Sequence, residues 1–169
     1  LRMKKEQSDA IEAKEGILKG ETVSANIKIA VVVASYNTKI SQGLLDGCIK
    51  GLDDCGITDR LIIDIDGSFE LPLVAQECAK TFDAVICLGS VIKGDTAHFE
   101  YVSDQAARGI QEVMLKTSKP VIFGVLTTYD FAQALERSLP NENNKGLEAA
   151  LTAVKMCNLL TKLQANKSV

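Results

Sequence analysis

Four short runs of β-branched and aliphatic residues punctuate the chain: Ile27 to Ser35 (IKIAVVVAS), Arg60 to Asp66 (RLIIDID), Ala84 to Ile92 (AVICLGSVI) and Pro120 to Thr128 (PVIFGVLTT). Apolar runs this short and this continuous are what parallel strands covered on both faces require. The segments between them change period. Ile40, Leu44, Leu45, Cys48, Ile49 and Leu52 fall on one helical stripe, and Phe99, Val102, Ala106, Ile110 and Val113 on another. Shorter helices are expected after Phe69 to Pro72 (FELP) and around Asp130 to Arg137 (DFAQALER), with a last one from about Lys145 to Leu163. Strand then helix, repeated, predicts a three-layer α/β unit: a four-stranded parallel sheet with helices on both faces and right-handed crossovers. Ligands of such sheets collect at the carboxyl ends of the strands.

Residues 1 to 26 are polar and weakly periodic, with Gly16 and Gly20 as breakers, and read as an extension that orders only against something else. The folded domain is expected over residues 27 to 169. With 169 residues, of which 46% are hydrophobic and 24% charged, the chain fits one core that needs no metal or disulfide to hold it. A net charge of −3 and an isoelectric point near 5.3 give no footprint for a nucleic-acid backbone. Cys48, Cys55, Cys78, Cys87 and Cys157 form no Cys-x-x-Cys pair and are odd in number, which argues against both a zinc site and a disulfide framework. Neither a signal peptide nor an apolar run of membrane-spanning length is evident, so a cytoplasmic protein is expected. Residue 1 is leucine, which fits numbering that begins inside a longer chain.

Each strand ends in a distinctive turn: Ser35 to Asn37, Gly67 to Pro72, Gly89 to Phe99, and Leu126 to Thr128 with Arg137 one helix later. Gly89 and Gly94 have the spacing of a nucleotide-binding loop, with Thr96 where that loop carries its hydroxyl, yet Asp95 stands where the phosphate-binding lysine belongs. A single phosphate remains compatible with Thr96 capping a helix whose first amides are unpaired. His98, the one histidine, would lie in that first turn, where the helix dipole disfavours a second positive charge and favours an imidazole able to accept a proton. From spacing alone a packed side chain is the favoured reading of His98, since no carboxylate neighbours it in sequence. Tyr36 and Phe123 are either strand-end aromatics or flat faces for a heterocycle, and Glu70 and Arg137 either complement helix ends or bind a ligand. Cys87, inside an apolar strand with no activating partner in sequence, reads as core and not as a nucleophile.

Six blocks change the weighting: IAVVVASYN, GSFELPLVAQ, DAVICLGSVIKGDTAHFEYV, KPVIFGVLTT, QALERS and NKGLEAALTAVKM. In order and spacing the chain resembles the 6,7-dimethyl-8-ribityllumazine synthases over about residues 27 to 163. The resemblance implies a flavodoxin-like sheet, assembly into homopentamers or shells of twelve pentamers, and active sites between neighbouring subunits. It implies a cofactor-independent and metal-free transferase that condenses 5-amino-6-(D-ribitylamino)uracil with 3,4-dihydroxy-2-butanone 4-phosphate, the penultimate step of riboflavin biosynthesis, with riboflavin synthase as a candidate partner. By residue, it implies stacking for Tyr36, ribityl binding for Ser68, Phe69 and Glu70, and pyrimidine binding for Ser90, Val91 and Ile92. Asp95 and Thr96 match the phosphate-contacting turn, and His98 the proton-transferring histidine. Phe123 and Arg137 match residues supplied across an interface. Asp66 and Asn141 depart from the proline and lysine usual at their positions, and the choice between pentamer and shell stays open. The competing reading is a non-catalytic flavin or lumazine carrier, or a shell-forming protein, on the same fold.

Overall fold

The apolar runs pair as one parallel sheet in the computed structural model, which describes residues 17–23 and 26–166. The element order is β1 (Ile29–Ala34), α1 (Thr38–Asp54), β2 (Arg60–Ile65), a 3-10 turn (Ser68–Glu70), α2 (Leu71–Cys78), β3 (Ala84–Ile92), α3 (His98–Thr117), β4 (Val121–Thr128), α4 (Phe131–Glu136) and α5 (Lys145–Asn166). The strand order is β2-β1-β3-β4, with helices on both faces: a flavodoxin-like α/β fold. β1 is buried along its whole length because it is central, whereas β2 exposes Leu61 and Ile62 because it is an edge.

Alternate residues of each strand feed two separate apolar layers. Ile86 and Leu88 of β3 pack with Ile40 and Leu44 of α1 and with Ala150 and Val154 of α5. Val85 and Cys87 pack on the other face with Leu71, Ala75, Ile110 and Val113 from α2 and α3. α1 lies close against α5 and the segment leading into it, and three glycines one helical turn apart allow the approach. A Cβ on Gly47 would lie 2.1 Å from Asn144 Oδ1, one on Gly51 2.8 Å from Ala150 Cβ, and one on Gly43 2.5 Å from the Ser138 carbonyl.

The expectation for the extension falls largely outside the described residues. Its described part, residues 17–23, lies along α5 of its own chain, where Asn158 Nδ2 donates to the carbonyls of Glu21 (2.7 Å) and Val23 (3.0 Å). Among the described residues no helix is long and apolar enough to cross a membrane, and no cluster of His, Cys, Asp and Glu is able to hold a metal ion.

Candidate active site

The chain leaves β1 toward β2 and enters β3 on the opposite side, so the strand ends of β1 and β3 part. At such a switch point the loops diverge and leave a crevice. Here a cavity of about 920 Å³ occupies it, lined by Tyr36, Ser68, Phe69, Glu70, Ser90, Val91, Ile92, Thr96 and His98 among others. Nine of the twelve residues singled out in the sequence thus meet in one place. Asp95, exposed on the same turn, is outside the lining, and Phe123 and Arg137 line a different groove.

The first wall is a tightly tied loop. Its backbone is anchored by Ser35 N–H to the Ile65 carbonyl (2.8 Å) and by Tyr36 N–H to the Asp66 carbonyl (3.0 Å). Ser41 Oγ donates to the carbonyls of Ala34 and Tyr36 from below. Tyr36 as a residue is 75% exposed, so a tied backbone presents an uncovered aromatic side chain. Opposite it, the 3-10 turn after β2 sits hard against β3. A side chain at Gly89 would place its Cβ 2.6 Å from Ser68 Oγ, so glycine there permits the close approach. Ser90, only 3% exposed, has a hydroxyl with no hydrogen-bond partner from the described residues, an arrangement that costs energy when the group stays unpaired.

The third wall differs from the sequence expectation in one detail. Thr96 does not cap α3: the helix begins at His98 after Ala97, and Thr96 Oγ1 only accepts a long contact of 3.4 Å from the His98 amide. The turn is braced from outside instead. Lys93 Nζ lies 3.0 Å from Glu100 Oε1 and stands 5.9 Å and 5.8 Å from the ring centres of Phe99 and Tyr129. The hydrogen bond from Lys93 holds the Glu100 carboxyl below its ordinary range. Lys93 is thereby committed to the scaffold, and His98 projects exposed at the cavity wall.

On the outer face of β4 a second groove, of about 420 Å³, contains Phe123, Arg137, Lys145 and Glu148. Arg137 donates through Nη1 to the Gln133 carbonyl (2.8 Å) and keeps its side chain 45% exposed. Lys145 brings a second cation to this groove, whereas Asn141, which stands where the resemblance has a lysine, is not part of its lining. What holds the segment is Asn144, 1% exposed, whose side chain bonds to α1, to the turn after α4 and to the start of α5.

A sequence-family model described as 6,7-dimethyl-8-ribityllumazine synthase matches residues 26–161. The chain belongs to this family. The match ties the chain to riboflavin biosynthesis and spans the residues of both the switch-point cavity and the β4 groove. Sequence reasoning missed four cavity-lining side chains: Asn37, Phe99, Tyr101 and Val102. Asn37 carried a legible signal, because it comes directly after Tyr36 at the mouth of a helix and asparagine is among the few side chains that accept a left-handed backbone. Phe99, Tyr101 and Val102, lying within the α3 pattern, carried none.

Proposed function

We propose that the chain catalyses the condensation of 5-amino-6-(D-ribitylamino)uracil with 3,4-dihydroxy-2-butanone 4-phosphate to 6,7-dimethyl-8-ribityllumazine, phosphate and water. One observation carries this reading: an exposed aromatic face, an unpaired buried hydroxyl, a carboxylate turn and a histidine converge on the β1/β3 switch point. In the proposed arrangement the pyrimidine stacks on Tyr36 and pairs with the strand end Ser90 to Ile92, and its ribityl chain runs along Ser68, Phe69 and Glu70. The phosphate of the second substrate is met at the turn of Asp95 and Thr96 by Arg137, and Phe123 supplies apolar contact.

Joining an amine to a ketone, eliminating phosphate and closing the ring leaves the combined oxidation level unchanged. Proton transfers are all that the side chains must perform. His98 fills that role, worth typically about 10²- to 10⁴-fold, while holding both substrates in register supplies most of the rate. Because Phe123 and Arg137 lie in a separate groove, they serve the cavity of a neighbouring subunit in this reading, and a ring of subunits results from such a head-to-tail contact. Residues 27 to 169 form the catalytic domain and residues 1 to 26 an extension of the assembly. We place the protein in the cytoplasm, where five free thiols stay reduced.

Mixing the two substrates with the purified chain tests the proposal directly. Appearance of lumazine absorbance and fluorescence, with release of one phosphate per product, is the expected result. A chain that binds lumazine without forming it is a carrier, and the proposal fails. Light scattering separates a pentamer from a shell of pentamers.

A further inference from the structure

The β1/β3 ladder ends early. β1 and β3 pair from Ile29↔Ala84 to Val33↔Leu88, while β3 continues beside β4 as far as Ile92↔Thr128. Beyond Leu88, therefore, β3 has lost β1 as a neighbour just where the cavity opens. The carbonyl of Ser90 is not left without a partner, because the Asn37 side chain donates to it from Nδ2 at 3.0 Å. Asn37 is the residue after Tyr36 and adopts a left-handed backbone, φ 63° and ψ 52°. Most side-chain-bearing L residues avoid that conformation, and asparagine is among the few that accept it. It turns the amide back across the gap, replacing a missing rung of main-chain ladder with a side-chain rung.

Resting on the proposed function, we infer that Asn37 is a positioning residue that sets the separation between the Tyr36 ring and the Ser90 to Ile92 strand end, and so selects a flat pyrimidine for that slot. The other ties of the Tyr36 loop lead elsewhere: the Ser35 and Tyr36 amides to the end of β2, and Ser41 from the same loop's own helix. Among the described residues, only the Asn37 amide joins the stacking face to the edge it opposes. Ser90 stands at that junction twice over, with its carbonyl tied to Asn37 and its hydroxyl unpaired. Losing the tie lets the two walls drift, which weakens whatever is gripped between them and leaves the phosphate end untouched.

Two variants separate this role from a structural one. Asn37→Gly keeps the left-handed backbone at little cost but removes the donor, and Asn37→Asp keeps the shape while turning an acceptor toward the Ser90 carbonyl. The expected result for Asn37→Gly is a KM for the ribitylaminouracil raised about tenfold, the scale of one lost hydrogen bond. The KM for the butanone phosphate stays within about twofold, and the affinity for added lumazine, followed by fluorescence titration, falls in parallel with the pyrimidine KM. Asn37→Asp loses more. A wild-type pyrimidine KM and lumazine affinity in Asn37→Gly overturn the inference, and so does an equal rise in both KM values, which marks a general loosening. If the wild-type chain binds lumazine but makes none, the proposed reaction fails while the affinity contrast still decides the role of Asn37. If it neither makes nor binds lumazine, both readings fall.

Discussion

Replacing Asn144 with alanine is the most informative test of how the fold holds the β4 groove. Its Nδ2 carries two protons and spreads them over three carbonyls, those of Gly43 (3.0 Å), Ser138 (3.0 Å) and Leu139 (2.9 Å). Its Oδ1 accepts from the amides of Gly146 (2.8 Å) and Leu147 (3.1 Å), which satisfies two of the free donors at the start of α5. In Asn144→Ala the lost helix cap costs about 1 kcal/mol. The abandoned carbonyls add about 1 to 3 kcal/mol for each buried acceptor that finds no substitute. With water reaching some of them, the total is about 3 to 5 kcal/mol, or a melting temperature lower by about 6 to 20 °C for a chain of this size. Asn144→Asp separates the two halves of the role: it retains the cap acceptor but faces three carbonyls with a carboxylate, so at neutral pH it is at least as damaging. Urea and thermal unfolding at fixed protein concentration measure both variants, because assembly shifts apparent stability with concentration. A loss below about 1 kcal/mol in Asn144→Ala, or a milder effect in Asn144→Asp, refutes the reasoning, since the cap alone would then account for the residue.

Under the proposed reaction, His98→Ala lowers turnover by about 10²-fold or more with little change in either KM, whereas Arg137→Ala chiefly raises the KM of the phosphate substrate; steady-state kinetics on both, with each substrate varied, distinguishes the two effects. The thiols give a prediction free of any functional reading. Burial pushes Cys48 up to about 12 and Cys157 up to about 11, and it raises Cys87 strongly as well. The unfolded chain releases thiol protons from about pH 8.5 upward and the folded chain does not, so folding stability falls as pH rises from there toward the folded values. Urea midpoints at pH 8 and pH 10, together with a disulfide reagent that reacts only after unfolding, check the expectation; native thiols that react rapidly at pH 8 contradict it.

Most of the fold is legible in the chain because the strands announce themselves. Buried on two faces, β1 and β3 are apolar but for Ser90 near the cavity end of β3, so their apolar runs mark them, and the helices between carry a stripe of a different period. The cavity-lining turns are legible for a related reason: a loop leaving the carboxyl end of a parallel strand lies where ligands gather. The features that escape depend on contacts distant in sequence. Asn37 reaches Ser90 and Asn144 reaches Gly43, and no local pattern specifies either pairing. The start of α3 is misplaced by sequence because threonine is a favoured cap, while the turn is secured by Lys93, Glu100 and two aromatic rings. Propensity at one residue yields to a cluster assembled from β3, α3 and the end of β4.

The strand register bears on whether one chain can complete its own site. Phe123 pairs with Cys87, whereas the cavity-lining Ser90 pairs with Leu126. Three residues of strand separate those levels, about 10 Å along the sheet axis. Phe123 therefore sits too low on β4 to touch a ligand in its own cavity, and it is 43% exposed on a face that a neighbour is free to cover. If the neighbour's cavity is what it serves, His98 and Arg137 of one site belong to different chains, and two impaired variants can restore each other. Co-expressed in equal amounts, His98→Ala and Arg137→Ala chains assemble at random around a head-to-tail ring, and about a quarter of the sites receive both intact side chains. Activity in the mixed assembly should then approach about a quarter of wild type when the phosphate substrate is kept below its KM for Arg137→Ala. Activity no greater than the average of the two pure variants would place both side chains in one chain's site, against the register and the separation of the two grooves.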